Sequence, residues 1–304
     1  MRVALLGYGE VGRILAEDLR AGGHSLTAHD NTPRVDLQRA MREHAERLGI
    51  SITDSHASAV MDAELVISAV TASQAFDAAL ACVPGLAAGA FFLDFNSASP
   101  GCKARSAERV NAAGARFVEG AVMTSVPPYR IAVPLLLGGP DAAAALPVLS
   151  DLGFKARVAS ASLGVASATK MCRSIVIKGL EAILIESFTT ARHYGVEDMV
   201  IASLTETFPG IDWERQGAYF FQRVIEHGRR RSEEVREVAV TVREAGLAPW
   251  SAAGTAERQA SMADMTDAGV FGNRTSSGFA KSWDWRIEAD RLLASLADPS
   301  QSKI

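Results

Sequence analysis

Gly7-Tyr8-Gly9-Glu10-Val11-Gly12 decides how the rest of the chain is read. The apolar run Val3-Ala4-Leu5-Leu6 leads into it as a buried parallel strand, and Val11 to Leu19 leads out of it as a helix. A second strand, Ser25-Leu26-Thr27-Ala28-His29-Asp30, then ends on an acid. A bare G-x-G-x-x-G is a common tight turn. Strand, turn, helix, strand and terminal acid in that order make a dinucleotide site with a mechanism. Gly7 permits the turn, Gly9 lets a pyrophosphate reach the backbone, and Gly12 lets helix and strand pack closely, so that the phosphate sits on the helix N-terminus. The expected cofactor contacts therefore run over Gly7, Tyr8, Gly9, Glu10, Val11 and Gly12, with Asp30 at the adenosine ribose.

Asp30 also bears on which dinucleotide binds. A carboxylate there accepts both ribose hydroxyls and repels a 2′-phosphate, which favours NAD. Asn31, Thr32 and Arg34 follow at once, and Arg34 would hold a phosphate if Asp30 turned away, so NADP stays open.

The whole chain narrows the class. Its 304 residues, 48% of them hydrophobic, suffice for two domains with a large core. Lys and Arg number 31 against 35 Asp and Glu, so no basic excess draws the protein to nucleic acid or to a membrane surface. Strand residues begin directly at the N-terminus, no apolar stretch approaches the ~20 residues of a membrane span, and a cytoplasmic location is expected. Cys82, Cys102 and Cys172 are too few and too scattered for a disulfide framework or a zinc site, so no metal is expected.

Two halves follow different patterns. Residues 1–162 alternate short β-rich runs (Glu64–Val70, Phe91–Asp94, Arg116–Val118, Val133–Leu137) with helical stretches such as Arg34–Leu48 and Gln74–Cys82. That alternation predicts an α/β fold with a doubly wound, parallel Rossmann sheet. Ligands on such a sheet bind beyond the strand C-termini, which singles out Val70-Thr71, Asp94 to Pro100 and Glu119 to Ser125. An alanine-rich turn is read near Ala142–Ala145. Residues 163–304 read as an all-helical domain for substrate and dimerisation. Gly164–Tyr194 would form one helix of about 45 Å, stopped by Gly195. That length suits a junction of domains or subunits, and a homodimer is expected. Further helices are read over Glu197–Thr207, Asp212–Glu226, Arg229–Ala245, Ser251–Asp264 and Lys281–Leu296, before a polar tail.

Chemistry points to the start of the long helix. Lys170 lies two turns in, among apolar residues, with Arg173 and Ser174 three and four positions on and on one face. Desolvation would lower the pKa of Lys170 into a working range for proton transfer, and Arg173 would take a carboxylate. The plain alternative is a solvated or snorkelling pair. Glu226-His227-Gly228-Arg229-Arg230-Arg231 is read likewise in two ways, as a solvated face paired with Glu233, Glu234 and Glu237, or as an anion site using His227 and Arg231. Three arginines at a helix start oppose the dipole, which is what draws attention to them. Trp283-Asp284-Trp285 reads as helix packing.

These motifs together resemble the β-hydroxyacid dehydrogenase superfamily, which includes 6-phosphogluconate and 3-hydroxyisobutyrate dehydrogenases. Within it the chain is most similar to the branch described as "6-phosphogluconate dehydrogenase NAD-binding, putative-like", over nearly all its length. Asp94-Phe95-Asn96-Ser97-Ala98-Ser99-Pro100 matches the family's D-x-S-T-x-x-P, with Asn96 and Ser97 in place of Ser-Thr, and the resemblance sets Ser97 beside the nicotinamide ribose. Gly164 to Ser174 matches G-x-G-x-x-x-K-x-x-N-N, with Lys170 as the catalytic lysine and Arg173-Ser174 replacing both asparagines. The family's substrate loop, D-A-P-V-S-G-G, becomes Glu119-Gly120-Ala121-Val122-Met123-Thr124-Ser125, leaving Met123, Thr124 and Ser125 as candidate substrate contacts. The resemblance implies hydride transfer between NAD(P) and a hydroxy acid or its aldehyde or ketone, on a bulkier or differently charged, anionic substrate. It points to a dimer as well. Imine reduction on the same architecture and a non-catalytic dinucleotide-binding regulator are the alternatives.

Overall fold

A computed structural model describes residues 1–32, 35–276, 279 and 282–297. The first half is built from strands β1 (Arg2–Leu6), β2 (Ser25–His29), β3 (Ser51–Ile52), β4 (Leu65–Ser68), β5 (Phe91–Asp94), β6 (Arg116–Val122), β7 (Leu135–Gly138) and β8 (Ala156–Ser160). Helices α1 (Glu10–Ala21), α2 (Val35–Arg47), α3 (His56–Val60), α4 (Ala75–Cys82), α5 (Pro100–Ala112) and α6 (Ala142–Asp151) lie between them. The strands form one sheet in the order β3-β2-β1-β4-β5-β6-β7-β8, parallel throughout except where β7 runs antiparallel to β6.

Side-chain alternation explains why both faces are covered. Val3, Leu5, Leu65 and Ile67 pack under α1, α2 and α6, against Leu15, Met41 and Leu149. Ala4, Leu6, Val66 and Phe92 face the other way, against Val60, Ala79 and Val110 of α3, α4 and α5. Strand order reverses between β1 and β4, so the loops after these two strands open at the switch point where an α/β sheet takes its ligand. The alanine run read as a turn instead begins α6, as expected of the strongest helix former once Asp141 has turned the chain.

The second half is helical: α7 (Val165–Tyr194), α8 (Glu197–Thr207), α9 (Trp213–Glu244), α10 (Trp250–Asp267) and α11 (Trp285–Ala297). None of the helices among the described residues is long and apolar enough to cross a membrane. Contacts divide the chain into two compact units, Met1–Cys172 with Arg243–Gly246, and Arg173–Val242 with the chain from Leu247 onward. The division falls after Cys172 rather than after residue 162, because the first turns of α7 are fastened to the sheet by Glu119, as described below. In the helical unit Leu184, Phe188, Phe221, Ile225, Met262 and Trp285 form the core. Trp285 is buried and Trp283 exposed, so only one of the two tryptophans packs. Lys281 and the tail beyond residue 297 lie outside the described residues. Among the exposed residues of α7 are Val176, Ile177, Leu180 and Ile183, spaced as one apolar stripe.

One expected helix break is absent. Asp212–Glu226 and Arg229–Ala245 are a single helix, α9, and Arg229-Arg230-Arg231 sit in its middle, away from any helix N-terminus. Gly228 is a packing residue: a Cβ there would lie 2.7 Å from the carbonyl oxygen of Gln259 and 3.3 Å from the Cβ of Ala263, both on α10. Gly228→Ala is therefore expected to destabilise the protein by about 1–3 kcal/mol, through overpacking. An unconstrained helix position would gain up to ~1 kcal/mol from the same change. Thermal unfolding gives the sign, and a raised midpoint would refute the close helix contact.

Candidate active site

The glycine turn divides its labour as steric arguments require. Gly7 adopts φ +86°, and its N–H donates to the carbonyl of His29 at 2.9 Å. A Cβ on Gly7 would stand 2.4 Å from the carbonyl oxygen of Ala69, just beyond β4, and one on Gly12 would stand 2.1 Å from that of Gly7. At Gly9 a Cβ would meet nothing within 4 Å. Two glycines thus allow backbone to touch backbone, while the third leaves the turn open at the head of α1. Gly9 is also the N-cap of α1 and gives it no side-chain cap, so the first amides of the helix are left to an anion. These residues fit a dinucleotide pyrophosphate. Glu10 is exposed and Val11 half-buried in that first turn.

Tyr8 contributes through its backbone. Its ring is buried and its hydroxyl meets Nδ1 of His44 at 3.1 Å, while Nε2 of His44 meets Oε1 of Glu17 at 3.0 Å. Burial pushes the phenol up to about 12, so the hydroxyl stays neutral. The N–H of Tyr8 donates to Oδ2 of Asp30 at 2.6 Å, and the N–H of Thr32 to Oδ1 at 2.8 Å. Asp30 is thus a brace for the glycine turn, a function not read from its position in the sequence. Arg34 lies outside the described residues. Val70 is half-buried and Thr71 exposed beside the turn, and the amide of Val70 would be 3.1 Å from a Cβ on Gly7.

Lys170 and Ser97 meet. Nζ of Lys170 donates to Oγ of Ser97 at 2.6 Å across a sequence separation of 73, and both residues are half-buried. Ser97 stands on the loop after β5, at the same sheet edge as the glycine turn, since β1, β4 and β5 run parallel. The helix that carries Lys170 is set by Glu119. This carboxylate, with no solvent exposure, accepts the N–H of Gly164 at 2.8 Å and that of Ser167 at 2.5 Å, which caps the N-terminus of α7.

Glu119 was read as the first residue of the substrate loop. It lies inside β6 and points to α7, so the loop proper starts at Met123. Met123 packs with Ala121, Leu136 and Ala166 of α7, Thr124 is exposed and Ser125 half-buried. An acid flanked by Phe117-Val118 and Gly120-Ala121-Val122 within a strand was the available signal that Glu119 has an internal partner. In the helical unit Ser174 is buried and Arg173 exposed, so the two differ in setting. Each arginine of the cluster has a carboxylate: Arg229 has Asp264 and Asp267, Arg230 has Glu234, and the buried Arg231 has Glu181. Glu234, one of the three acids read as partners of the cluster, takes Arg230. His227 is half-buried beside Glu226, and burial, reinforced by Arg230, Arg223 and Arg231, holds its pKa below the usual histidine range.

Glu119→Gln is expected to destabilise the sheet unit by about 1–3 kcal/mol, because an amide nitrogen has no lone pair for the second N–H and charge at the helix terminus is lost. Denaturant unfolding measures it, and an unchanged midpoint would contradict the capping function.

Comparison with known proteins agrees with this fold. Residues 2–159 match the model of the NAD binding domain of 6-phosphogluconate dehydrogenase, and residues 191–262 match a domain of unknown function, DUF1932. A conserved hypothetical protein from Sinorhizobium meliloti 1021, known as a crystal structure, is 32% identical over 96% of each chain, with a TM-score of 0.71. The 3-hydroxyisobutyrate dehydrogenase of Mycobacterium tuberculosis shares the fold at 17% identity, covering 86% of this chain and 94% of its own, with a TM-score of 0.68. An imine reductase from Myxococcus stipitatus, in complex with NADP+, does so at 19% identity, covering 88% and 95%, with a TM-score of 0.53. With its glycine turn, its mostly parallel sheet and its helical second half, the chain belongs to the β-hydroxyacid dehydrogenase superfamily, through an NAD-binding domain of the 6-phosphogluconate dehydrogenase type.

Proposed function

We propose that the protein is an NAD(P)-dependent oxidoreductase acting on a hydroxy acid or the corresponding aldehyde or ketone, with Lys170 as general acid and base. The observation that carries this reading is the 2.6 Å hydrogen bond from Lys170 Nζ to Ser97 Oγ, on a loop that shares its sheet edge with the glycine turn. A proton-transfer group needs to be held near the cofactor end of the sheet, and a half-buried amine fixed by a hydroxyl meets that need.

When bound, the nicotinamide supplies or accepts the hydride. In reduction, the ammonium of Lys170 gives a proton to the carbonyl oxygen. In oxidation, its neutral amine takes the hydroxyl proton. Ser97 accepts a hydrogen bond from Nζ in the resting site and so fixes the direction of the amine. Thr124 and Ser125 offer hydroxyls to the substrate, and Met123 an apolar wall. Arg173, the exposed cation less than a turn beyond Lys170, takes the anionic group of the substrate, and Ser174 adds a hydroxyl. The guanidinium of Arg231, within the helical unit, is committed to Glu181. For the cofactor we propose NAD. Each carboxylate oxygen of Asp30 keeps a second lone pair, so bracing the turn is compatible with accepting ribose hydroxyls.

Lys170→Ala is expected to lower kcat by ~10²–10⁴-fold, the usual contribution of a general acid or base, with NADH binding retained. Turnover at the wild-type rate would remove the mechanism. The substrate panel for this comparison includes hydroxy acids, aldehydes and cyclic imines. Turnover of imines alone would assign C=N reduction instead, and tight NADH binding without any turnover would indicate a regulator. Fluorescence titrations with NADH and NADPH test the cofactor separately: NADH is expected to bind more tightly, and a preference for NADPH would overturn the assignment to Asp30.

A further inference from the structure

Behind the Ser97 loop lies a buried ion pair that the proton-transfer chemistry does not use. Lys103, in the first turns of α5, and Asp94, the last residue of β5, are each only 1% exposed. Nζ of Lys103 donates to the backbone carbonyl of Asp94 at 2.8 Å and lies 3.1 Å from its Oδ1. That same Oδ1 accepts the N–H of Asn96 at 2.9 Å, which closes the turn immediately before Ser97. Asn96 in turn donates through Nδ2 to Oγ of Ser68 at 2.9 Å, at the end of β4.

On the far side of Ser97 the loop is held again. Oγ of Ser99 donates to Oε1 of Glu244 at 2.8 Å, and the N–H of Gly101 donates to Oε2 at 3.0 Å. Ser97 is therefore carried on a short span clamped at both ends. The inner clamp is poor value as a source of stability. A buried ion pair gains little over an apolar pair of similar size, and Oδ2 of Asp94 and Oδ1 of Asn96 are both buried with no hydrogen-bond partner. What the arrangement does provide is a fixed path for the backbone from Asp94 to Ser97, since the lysine grips both the main chain and the side chain of one residue.

We propose that Lys103 is a positioning residue of the Lys170 site, acting through Asp94 and the Asn96 turn to set the hydroxyl of Ser97 against the amine of Lys170. The proposal rests on reading Lys170 as the proton-transfer group, and its test includes a measurement that needs no turnover. In the full chain, the pH dependence of Lys170 acetylation by acetic anhydride is followed by peptide mass spectrometry, beside kcat and KM on whichever carbonyl the wild type reduces. Two variants are compared, Lys103→Met and the double variant D94N/K103M, which removes both charges but keeps an oxygen for the N–H of Asn96.

Lys103→Met is expected to shift the Lys170 reactivity profile along the pH axis. It should also lower kcat by ~10–100-fold, the scale of a small misplacement of a reacting group, with KM nearly unchanged. The double variant should recover thermal stability without recovering the profile or kcat. A wild-type Lys170 profile in Lys103→Met, or full recovery in D94N/K103M, would reduce Lys103 to a charge partner and overturn the proposal. If Lys103→Met does not fold, the double variant decides alone. If the wild type turns over no carbonyl, the proposed reaction fails, while the acetylation profiles still show whether Lys103 positions Lys170.

Discussion

A carboxylate with no exposure to solvent, Glu119, sits on the first turn of α7, and the position of Lys170 follows from it. Its two oxygens take the amides of Gly164 and Ser167, one turn before the lysine, so the helix is fastened to β6 at a defined height and rotation. That anchor, with Ala166 packed against Ala121 and Leu136, seats the start of the helix on the sheet. With it, Lys170 reaches Ser97 across 73 residues of sequence. The helix is long, but Lys170 and the amides held by Glu119 all lie at its start.

The sheet edge supplies the other half of the site. The loops after β1, β4 and β5 emerge side by side, and each is fixed by a different device. Close backbone contact at Gly7 joins the first two, and Asn96 ties the third to Ser68 at the end of the second. Asp30 then braces the turn from β2. The same edge thus carries the glycine turn and the hydrogen-bonded pair of Lys170 and Ser97. Several of the groups holding them are buried and charged, or buried and without a partner, which is costly in a core and common where geometry matters more than stability.

How much of this was legible in the sequence depended on the range of the interaction. The glycine turn could be read because its logic is local, and the strands Val3–Leu6 and Phe91–Asp94 because a parallel sheet buried on both faces leaves continuous apolar runs. Lys170 and Ser97 were named, but only the resemblance to a family connected them. Glu119 and Glu244 act through partners distant in sequence, and no periodicity marks such a pair. Glycine misled once: at Gly228 the residue that often stops a helix lets two helices touch, and His227-Gly228 is helical throughout. Both uses of glycine follow from its missing Cβ, and the neighbours on α10 that distinguish them are 31 residues or more away in the chain.

The account stands on one amine being held beside the reacting carbon. A crystal structure of the protein with NADH bound measures this directly, as the place of Lys170 Nζ relative to C4 of the nicotinamide ring. Nζ is expected to remain on Ser97, within hydrogen-bond reach of an oxygen on a carbon facing C4. An amine turned to bulk solvent and remote from that ring would contradict the enzymatic reading and leave only a nucleotide-binding fold.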